Sequence, residues 1–297
     1  MKFKDNSADD EWEWYIGQIF ARLIQNAHKS NIKNVVEIAP GFRYKIAYAL
    51  KEVNFQGILY IIDTNTEALE YVNEKYKKIL PNAKIITINK SFENAFEDIP
   101  NEFDLLLSNH CIDDMIIAEY MNNYDKDLNN ESFRDMLTEA WIKLGKEPTK
   151  INEISSKVFS TFEKFFSNKK IDTIIISQYK SNLYFKDKFK EMDEITEECF
   201  KKVKELVIMD NEYINNILDF FPFGDDERYR GKYLLDNTQN AKKWIVGKYR
   251  EKFWCKYWNY TNNVVQWVYQ QQKYIQNDLR KFYKKGRKYE KVKFSKE

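Results

Sequence analysis

The sequence predicts a doubly wound α/β fold, in which helices cover both faces of a mostly parallel sheet. Short apolar segments of strand length alternate with helical segments through the middle of the chain. The first such segment, residues 34–38, is followed by a Pro40-Gly41 turn, and the second, 58–62, is followed by Asp63. Strand–helix alternation predicts right-handed βαβ units, and short strands that are almost wholly apolar are typical of a sheet buried on both faces.

The remaining elements follow in order along the chain. We expect strands at about residues 34–38, 58–62, 84–88, 103–108, 173–177, 206–209 and 243–249. A helix is expected at about 9–29, where apolar side chains recur at three- and four-residue spacing. Further helices are expected at about 44–52 and 66–79, the latter because Pro81 and Asn82 follow it.

Two insertions and an extension complete the predicted organisation. About sixty residues separate the fourth and fifth strands, where a single crossover helix needs far fewer. We predict that helices within about 113–167 form a cap over the active-site edge of the sheet, and that a second insertion lies at about 211–241. The predicted domain is residues 1–250, followed by a helical extension at 251–297 that is rich in aromatic and basic residues.

Composition narrows the class of protein. The chain has 297 residues, a formal net charge of +2, three cysteines and two histidines. A net charge this small does not indicate a particular class of binding partner. Cys111, Cys199 and Cys255 are far apart in the sequence, so we expect neither disulfides nor a structural zinc site. Cysteines without disulfides indicate a reducing, cytoplasmic compartment. There is no signal-peptide pattern and no apolar run near the roughly 18 residues that span a bilayer, so we expect a soluble protein without a membrane partner.

One segment carries a resemblance to a known family. Residues 35–41 read Val-Val-Glu-Ile-Ala-Pro-Gly. They resemble the first motif of class I S-adenosylmethionine-dependent methyltransferases, which runs apolar-apolar-Glu-apolar-x-x-Gly. Members also place an acid after strand two, as Asp63 is here, and a polar stretch after strand four. The resemblance covers about residues 30–180, continues more weakly to about 250, and implies a seventh strand inserted antiparallel between the fifth and sixth.

The chain departs from that motif in its first loop. The family usually has two or three glycines there, whereas this chain has Gly41 alone, with Arg43 where a small residue is common. Glycine permits positive φ and close approach of a ligand to the backbone. Arg43 is therefore expected to contact the cofactor carboxylate, to gate the pocket or to face water.

The resemblance implies a site for S-adenosylmethionine, with S-adenosylhomocysteine as product. Amides of the turn at 39–43 and the helix N-terminus after it favour the methionine carboxylate. Glu37 is expected near the methionyl ammonium, or else as a solvated strand-end acid. Asp63 is expected to chelate both ribose hydroxyls, or else to cap the next helix, a place that Thr64 or Asn65 can also fill. The residues implied for the cofactor are Glu37, Ala39, Pro40, Gly41, Asp63, Thr64, Ser91, Phe92 and Asn109. Ser91 and Phe92 follow strand three and would flank the adenine.

The stretch after strand four contains the candidate catalytic residues. Methyl transfer is an in-line displacement, for which the protein supplies orientation and, where needed, a base. His110 can take a proton from a hydroxyl or an amine. Asp113 and Asp114 can orient that base or hold a cationic substrate amine. The alternative is that Asp113 caps the helix starting there and that His110 only packs.

The end of strand five argues against a catalytic metal. It reads Ser177-Gln178-Tyr179, without the acid pair of metal-dependent catechol-type methyltransferases. The lone Cys111 follows an apolar strand, where a cysteine is more often packed than reactive.

These features predict O- or N-methylation of a small molecule or short peptide enclosed by the helical cap. One alternative is an RNA methyltransferase that uses the basic segment 280–297, since lysine and arginine neutralise phosphate and aromatic rings stack on bases. A second is a non-catalytic binding protein of the same fold. The tryptophan-rich face after residue 250 can also mediate a homodimer. A nicotinamide-dependent oxidoreductase is disfavoured, because no G-x-G-x-x-G follows strand one.

Overall fold

Seven strands form one sheet in the computed structural model of the protein, which describes residues 7–27, 31–122, 133–178, 190–209 and 244–250. They are β1 Asn34–Ile38, β2 Ile58–Asp63, β3 Lys84–Asn89, β4 Glu102–Asn109, β5 Lys170–Ser177, β6 Val207–Met209 and β7 Trp244–Tyr249. Their order across the sheet is β3-β2-β1-β4-β5-β7-β6. The first five strands pair in parallel, and β7 pairs antiparallel with both β5 and β6. The predicted mostly parallel sheet with an antiparallel last strand is confirmed.

Helices cover both faces of this sheet. They are α1 Ser7–Ala27, α2 Lys45–Glu52, α3 Thr66–Ile79, α4 Cys111–Asn122, α5 Phe133–Leu144, α6 Pro148–Asn168 and α7 Lys190–Glu205. Side chains of β1 alternate between two hydrophobic cores, as strand geometry requires. Val35 packs with residues of α1, α2 and α3, whereas Val36 and Ile38 pack with residues of α4, α5, α6 and α7.

The helices between β4 and β5 belong to the second of these layers. Helix α6 begins at Pro148, whose fixed φ and missing N–H suit the first turn of a helix. Its Phe165 lies against Phe92 and Phe96, with ring centroids 4.5 and 5.0 Å away, and anchors α6 to the segment that follows β3. Helices α4 and α5 pack with α6 and α7 in the same core. The role of these helices as a substrate cap stays a prediction.

Several predicted features fall outside the described residues. They are part of the first insertion (123–132), the second insertion (211–241) and the extension (251–297), so the proposed boundary at residue 250 also stays a prediction. Among the helices that the structure describes, none combines the length and the apolar character needed to cross a bilayer.

Candidate functional site

The carboxyl ends of β1, β2 and β4 lie side by side, because these strands are parallel neighbours. Ile38 at the end of β1 is in register with Ile62 of β2 and with Ser108 of β4. The Ser108 hydroxyl donates to the Ile38 carbonyl at 2.9 Å, which ties the two strand ends together. In open α/β sheets, ligands bind beyond this edge, and most of the residues singled out in the sequence lie along it.

The loop after β1 has the backbone of a ligand-binding turn. Ala39 and Gly41 both adopt left-handed conformations, with φ of 48° and 56°. The Ala39 amide donates to the Ile62 carbonyl at 2.8 Å, and the Arg43 amide donates to the Pro40 carbonyl at 3.0 Å. A Cβ atom built on Gly41 would have no heavy atom within 4 Å, apart from its own chain neighbours. The space above Gly41 is therefore open to a ligand.

Asp63 joins this loop to the end of β2. Its Oδ2 accepts the Gly41 N–H at 2.9 Å, its Oδ1 accepts the Asn65 N–H at 2.9 Å, and the residue is 9% exposed. A carboxylate oxygen can accept two hydrogen bonds, so each oxygen of Asp63 keeps acceptor capacity for a hydroxyl. The N-cap of α3 is Asn65, whose side chain accepts the Ala68 N–H at 3.1 Å. The alternative of Asp63 as the helix cap is wrong.

Glu37 lies inside the protein, beneath this edge. It is 3% exposed, and its Oε2 accepts a hydrogen bond from the Tyr76 hydroxyl of α3. Burial raises the pKa of Glu37 to about 8; the Tyr76 hydroxyl opposes this, and the charges of Asp63 and Glu13 add to it. The alternative of a solvated strand-end acid is wrong, and the placement of Glu37 near a methionyl ammonium stays a prediction.

An acid of α1 occupies the N-terminus of α2. Glu13 Oε2 accepts the Tyr44 N–H at 2.8 Å, and Arg43 Nη1 lies 3.3 Å from Glu13 Oε1. Helix N-termini attract carboxylates, so Glu13 stabilises α2 where an incoming carboxylate was expected. The Tyr44 amide at this helix N-terminus is thus bonded to Glu13, whereas the binding of a cofactor carboxylate by the turn at 39–43 stays a prediction. Arg43, with 55% of its side chain exposed, is directed toward α1.

Two more charged groups lie close to Glu13. Lys45, the first residue of α2, is buried, and burial lowers its pKa to about 8 against the opposing charge of Glu13. Burial raises the pKa of Glu13, which the charges of Lys45 and Arg43 oppose. Behind the β1–α2 loop, the buried Glu13 and Lys45 and the partly exposed Arg43 therefore influence one another's charge.

The residues after β2 and β3 differ in their surroundings. Thr64 is exposed, and its carbonyl accepts a hydrogen bond from Asn89 Nδ2 at 3.1 Å. Ser91 is half-buried, and its hydroxyl accepts from Asn94 Nδ2 at 2.8 Å. Phe92 is only 6% exposed and packs among aromatic residues of α6, which leaves little of its ring for an adenine. The role of Ser91 and Phe92 in flanking an adenine stays a prediction.

The ends of β4 and β5 carry a connected set of polar groups. The Ser177 hydroxyl donates to Asn109 Oδ1 at 2.9 Å, and the His110 amide donates to the Ser177 carbonyl at 2.9 Å. Gln178 Nε2 donates to Asp113 Oδ1 at 3.0 Å and lies 3.3 Å from His110 Nδ1. His110 itself has a left-handed φ of 63°. The sequence-predicted pair His110 and Asp113 is thus brought together, with Gln178 between them.

Asp114 is the residue after Asp113 in the first turn of α4. Its side chain keeps exposed surface, yet neighbouring protein atoms shield its carboxyl group from part of the solvent. This desolvation and the nearby charges of Asp113 and Asp63 raise the pKa of Asp114 well above its usual range. The charge of Asp63 therefore reaches Asp114, although Asp63 ends β2 and Asp114 lies in the first turn of α4.

Burial limits the chemistry of Cys111 at this edge. Cys111 is fully buried, and burial raises the pKa of its thiol to about 12, so the nucleophilic thiolate is disfavoured. Within the ranges that the structure describes, no group of three or more His, Cys, Asp and Glu side chains has metal-binding geometry.

Two site residues were missed in the sequence. Glu13 lies three residues before Ile16 on the buried stripe of α1, and an acid within an apolar stripe is the signal that could have identified it. Gln178 directly follows the predicted fifth strand, at the edge where ligands bind. In the sequence, the position of Gln178 was notable only because the end of strand five lacks an acid pair.

Comparison with known proteins gives weak similarities. No family model and no curated protein matches the chain. It is similar to an S-adenosylmethionine-dependent methyltransferase from Clostridium acetobutylicum ATCC 824, with 14% identity, coverage of 57% of this chain and 52% of that chain, and a TM-score of 0.35. It is also similar to the plantazolicin methyltransferase BpumL in complex with SAH, with 16% identity, coverage of 82% and 87%, and a TM-score of 0.37.

A third similar structure is a spermidine synthase in complex with the transition-state analogue AdoDATO, with 11% identity, coverage of 66% and 50%, and a TM-score of 0.35. The chain spans about half the length of this synthase and of the Clostridium enzyme. Similarities of this degree do not bear on activity, and the fold is assigned from the strand order. A seventh strand that runs antiparallel between the fifth and the sixth, beside five parallel strands in the order 3-2-1-4-5, gives this chain the fold of class I S-adenosylmethionine-dependent methyltransferases.

Proposed function

We propose that the protein is an S-adenosylmethionine-dependent methyltransferase that acts on an oxygen or nitrogen atom of a small molecule or short peptide. One observation carries the proposal: Asp63 at the tip of β2 binds the Gly41 amide of the β1 loop, above which the space is open. In this fold, a carboxylate beside an open glycine turn suits the ribose of a nucleoside cofactor.

The residues present fit such a cofactor. Asp63 retains acceptor capacity on both oxygens for the ribose hydroxyls. Gly41 lets the ligand approach the loop backbone, because it carries no Cβ at a left-handed position. When bound, S-adenosylmethionine supplies a methyl group on a positively charged sulfur. Asp63 and Asp114 lie close enough for their charges to interact, so this edge offers acidic groups near the loop.

His110 is the side chain that we place beside the reacting atom of the substrate. It follows β4 at the carboxyl edge and contacts Gln178 and Asp113. A neutral imidazole with its proton on Nδ1 can act as a base at Nε2, and one with its proton on Nε2 donates a hydrogen bond there. Helices α4 to α6 would exclude water above the substrate.

Calorimetric titration with S-adenosylmethionine and S-adenosylhomocysteine tests this function. We expect micromolar binding by the wild type and a loss of at least about 10- to 100-fold in affinity for Asp63→Ala, because each ribose hydrogen bond to this charged group contributes about 1.5–3 kcal/mol. Asp98→Ala is the matched control, since this exposed acid pairs with Lys90 at the surface. A folded wild type that binds neither compound would overturn the proposal.

The RNA methyltransferase and homodimer alternatives depend on residues beyond 250, outside the described residues. The non-catalytic alternative is a protein of the same fold whose single-glycine loop does not bind the cofactor, so a folded wild type that binds neither compound in the titration would favour it. No contact among the described residues favours these alternatives over the enzyme.

A further inference from the structure

The amide group of Gln178 touches three polar groups of the β4–α4 junction. Its Oε1 accepts the Ile112 N–H at 3.3 Å. Its Nε2 donates to Asp113 Oδ1 at 3.0 Å and lies 3.3 Å from His110 Nδ1. Gln178 is buried at the end of β5, so these contacts are made within the protein interior.

The surroundings fix which end of this amide is the oxygen. If the group were rotated by half a turn, its oxygen would face the Asp113 carboxylate and its NH₂ would face the Ile112 N–H. Both contacts would then pair like with like, acceptor with acceptor and donor with donor. Only the orientation with Nε2 toward Asp113 satisfies both neighbours, and this assignment rests on the hydrogen-bond partners.

This orientation determines where neutral His110 carries its proton. The amide NH₂ has two hydrogens, of which one is donated to Asp113 and the other is directed at His110 Nδ1. Nδ1 must then be the acceptor, and the single proton of the neutral ring lies on Nε2. Asp113 Oδ2 lies 3.7 Å from Nδ1, beyond hydrogen-bond distance, and does not compete with Gln178 for this nitrogen.

We propose that Gln178 is a positioning residue that holds neutral His110 with its proton on Nε2, so that His110 donates a hydrogen bond to the substrate instead of taking its proton. The tautomer assignment follows from the contacts of Gln178, whereas the mention of a substrate rests on the proposed function. A base role at Nε2 would need the proton on Nδ1, where it would face the donor Nε2 of Gln178. The geometry therefore narrows the two roles of His110 to one.

The tautomer can be read by long-range ¹H–¹⁵N NMR on the full chain, labelled with ¹⁵N-histidine and free of cofactor. The chain has only two histidines, so a His28→Asn variant assigns both ring systems. The pH is raised until the ring shifts stop changing, where the imidazoles are neutral, and the nitrogen shifts then report which atom carries the proton. We expect His110 of the wild type to carry it on Nε2.

Two variants separate the roles of Gln178 and Asp113. In Gln178→Met the donor to Nδ1 is lost at similar side-chain size, so the proton population is expected to move toward Nδ1, next to Asp113. In Asp113→Asn the donor remains, and the proton is expected to stay on Nε2. Circular dichroism checks that both variants fold.

A wild-type His110 with its proton on Nδ1 would overturn the proposal even if Gln178→Met failed to fold. An unchanged tautomer in a folded Gln178→Met variant would also overturn it. Because no cofactor is present, neither result depends on whether the chain binds S-adenosylmethionine. The titration with Asp63→Ala tests that separate question.

Discussion

Glu37 links the stability of the protein to pH. Burial raises the pKa of Glu37 to about 8 in the folded state, against 4.5 for a free glutamate side chain. Between these values the native state binds more protons than the unfolded state. The free energy of unfolding therefore falls as the pH rises through this window. Glu37 contributes its full share of stability only below about pH 4.5 and loses it as the pH approaches 8.

Glu37→Gln removes this titration and keeps an oxygen to accept the Tyr76 hydroxyl. We expect the stability of the wild type, relative to that of the variant, to fall by about 2–5 kcal/mol between pH 4.5 and 8, since one pKa unit corresponds to about 1.4 kcal/mol. Urea unfolding at several pH values measures the difference. Glu52→Gln, at an exposed acid of α2, is the control. Parallel pH curves for the wild type and Glu37→Gln would show that Glu37 ionises normally.

At the scale of elements, α1 docks onto α2 by close approach of their backbones. Gly17 of α1 has no side chain, and a Cβ atom built there would lie 2.7 Å from the Lys45 carbonyl oxygen and 2.7 Å from Tyr48 Cβ. The same crossing carries the Glu13 hydrogen bond to the Tyr44 amide. The close approach of α1 to α2, and with it the Glu13 hydrogen bond to the Tyr44 amide, thus requires a small residue at position 17.

Gly17→Ala is expected to destabilise the protein by about 1–3 kcal/mol, as overpacking of a filled contact does, although alanine is the better helix former. Thermal unfolding measures the loss. Gln25→Ala changes an exposed position of the same helix and should stay within about 0.5 kcal/mol of the wild type. A Gly17→Ala variant as stable as the wild type would mean that α1 is free to shift away from α2.

The elements themselves were largely predictable, and the contacts between them were not. Predicted bounds of β1 and α3 agree with the structure, because apolar runs and stop signals are local properties of the sequence. The position of Asp63 at the carboxyl edge of the sheet followed from the predicted parallel strands. Glu13 and Tyr44 are 31 residues apart, and Gln178 and Asp113 are 65 apart, so no local pattern links them. Such pairs depend on how helices and strands pack.

At the scale of the whole described structure, two hydrophobic cores share one sheet. Trp244 and Val246 of β7 pack into the core with α1 to α3, and Ile245 packs into the core with α4 to α7. β7 lies between β5 and β6, so it borders strands on both sides. β7 begins at residue 244, so it is distant in sequence from most of the strands that it stabilises. Displacement of β7 should therefore weaken both helical layers together.

Gly247→Ala tests this shared dependence in the full chain. A Cβ atom at Gly247 would lie 2.0 Å from the Ile208 carbonyl oxygen, so β6 and β7 must move apart, and we expect a loss of about 3 kcal/mol. Gly41→Ala is the matched control: its Cβ meets open space, and only the left-handed conformation costs about 1–2 kcal/mol. Hydrogen exchange followed by mass spectrometry should show equal losses of protection in α2 and in α6 for Gly247→Ala. A loss confined to one helical layer would mean that the two cores unfold independently and that β7 supports only one of them.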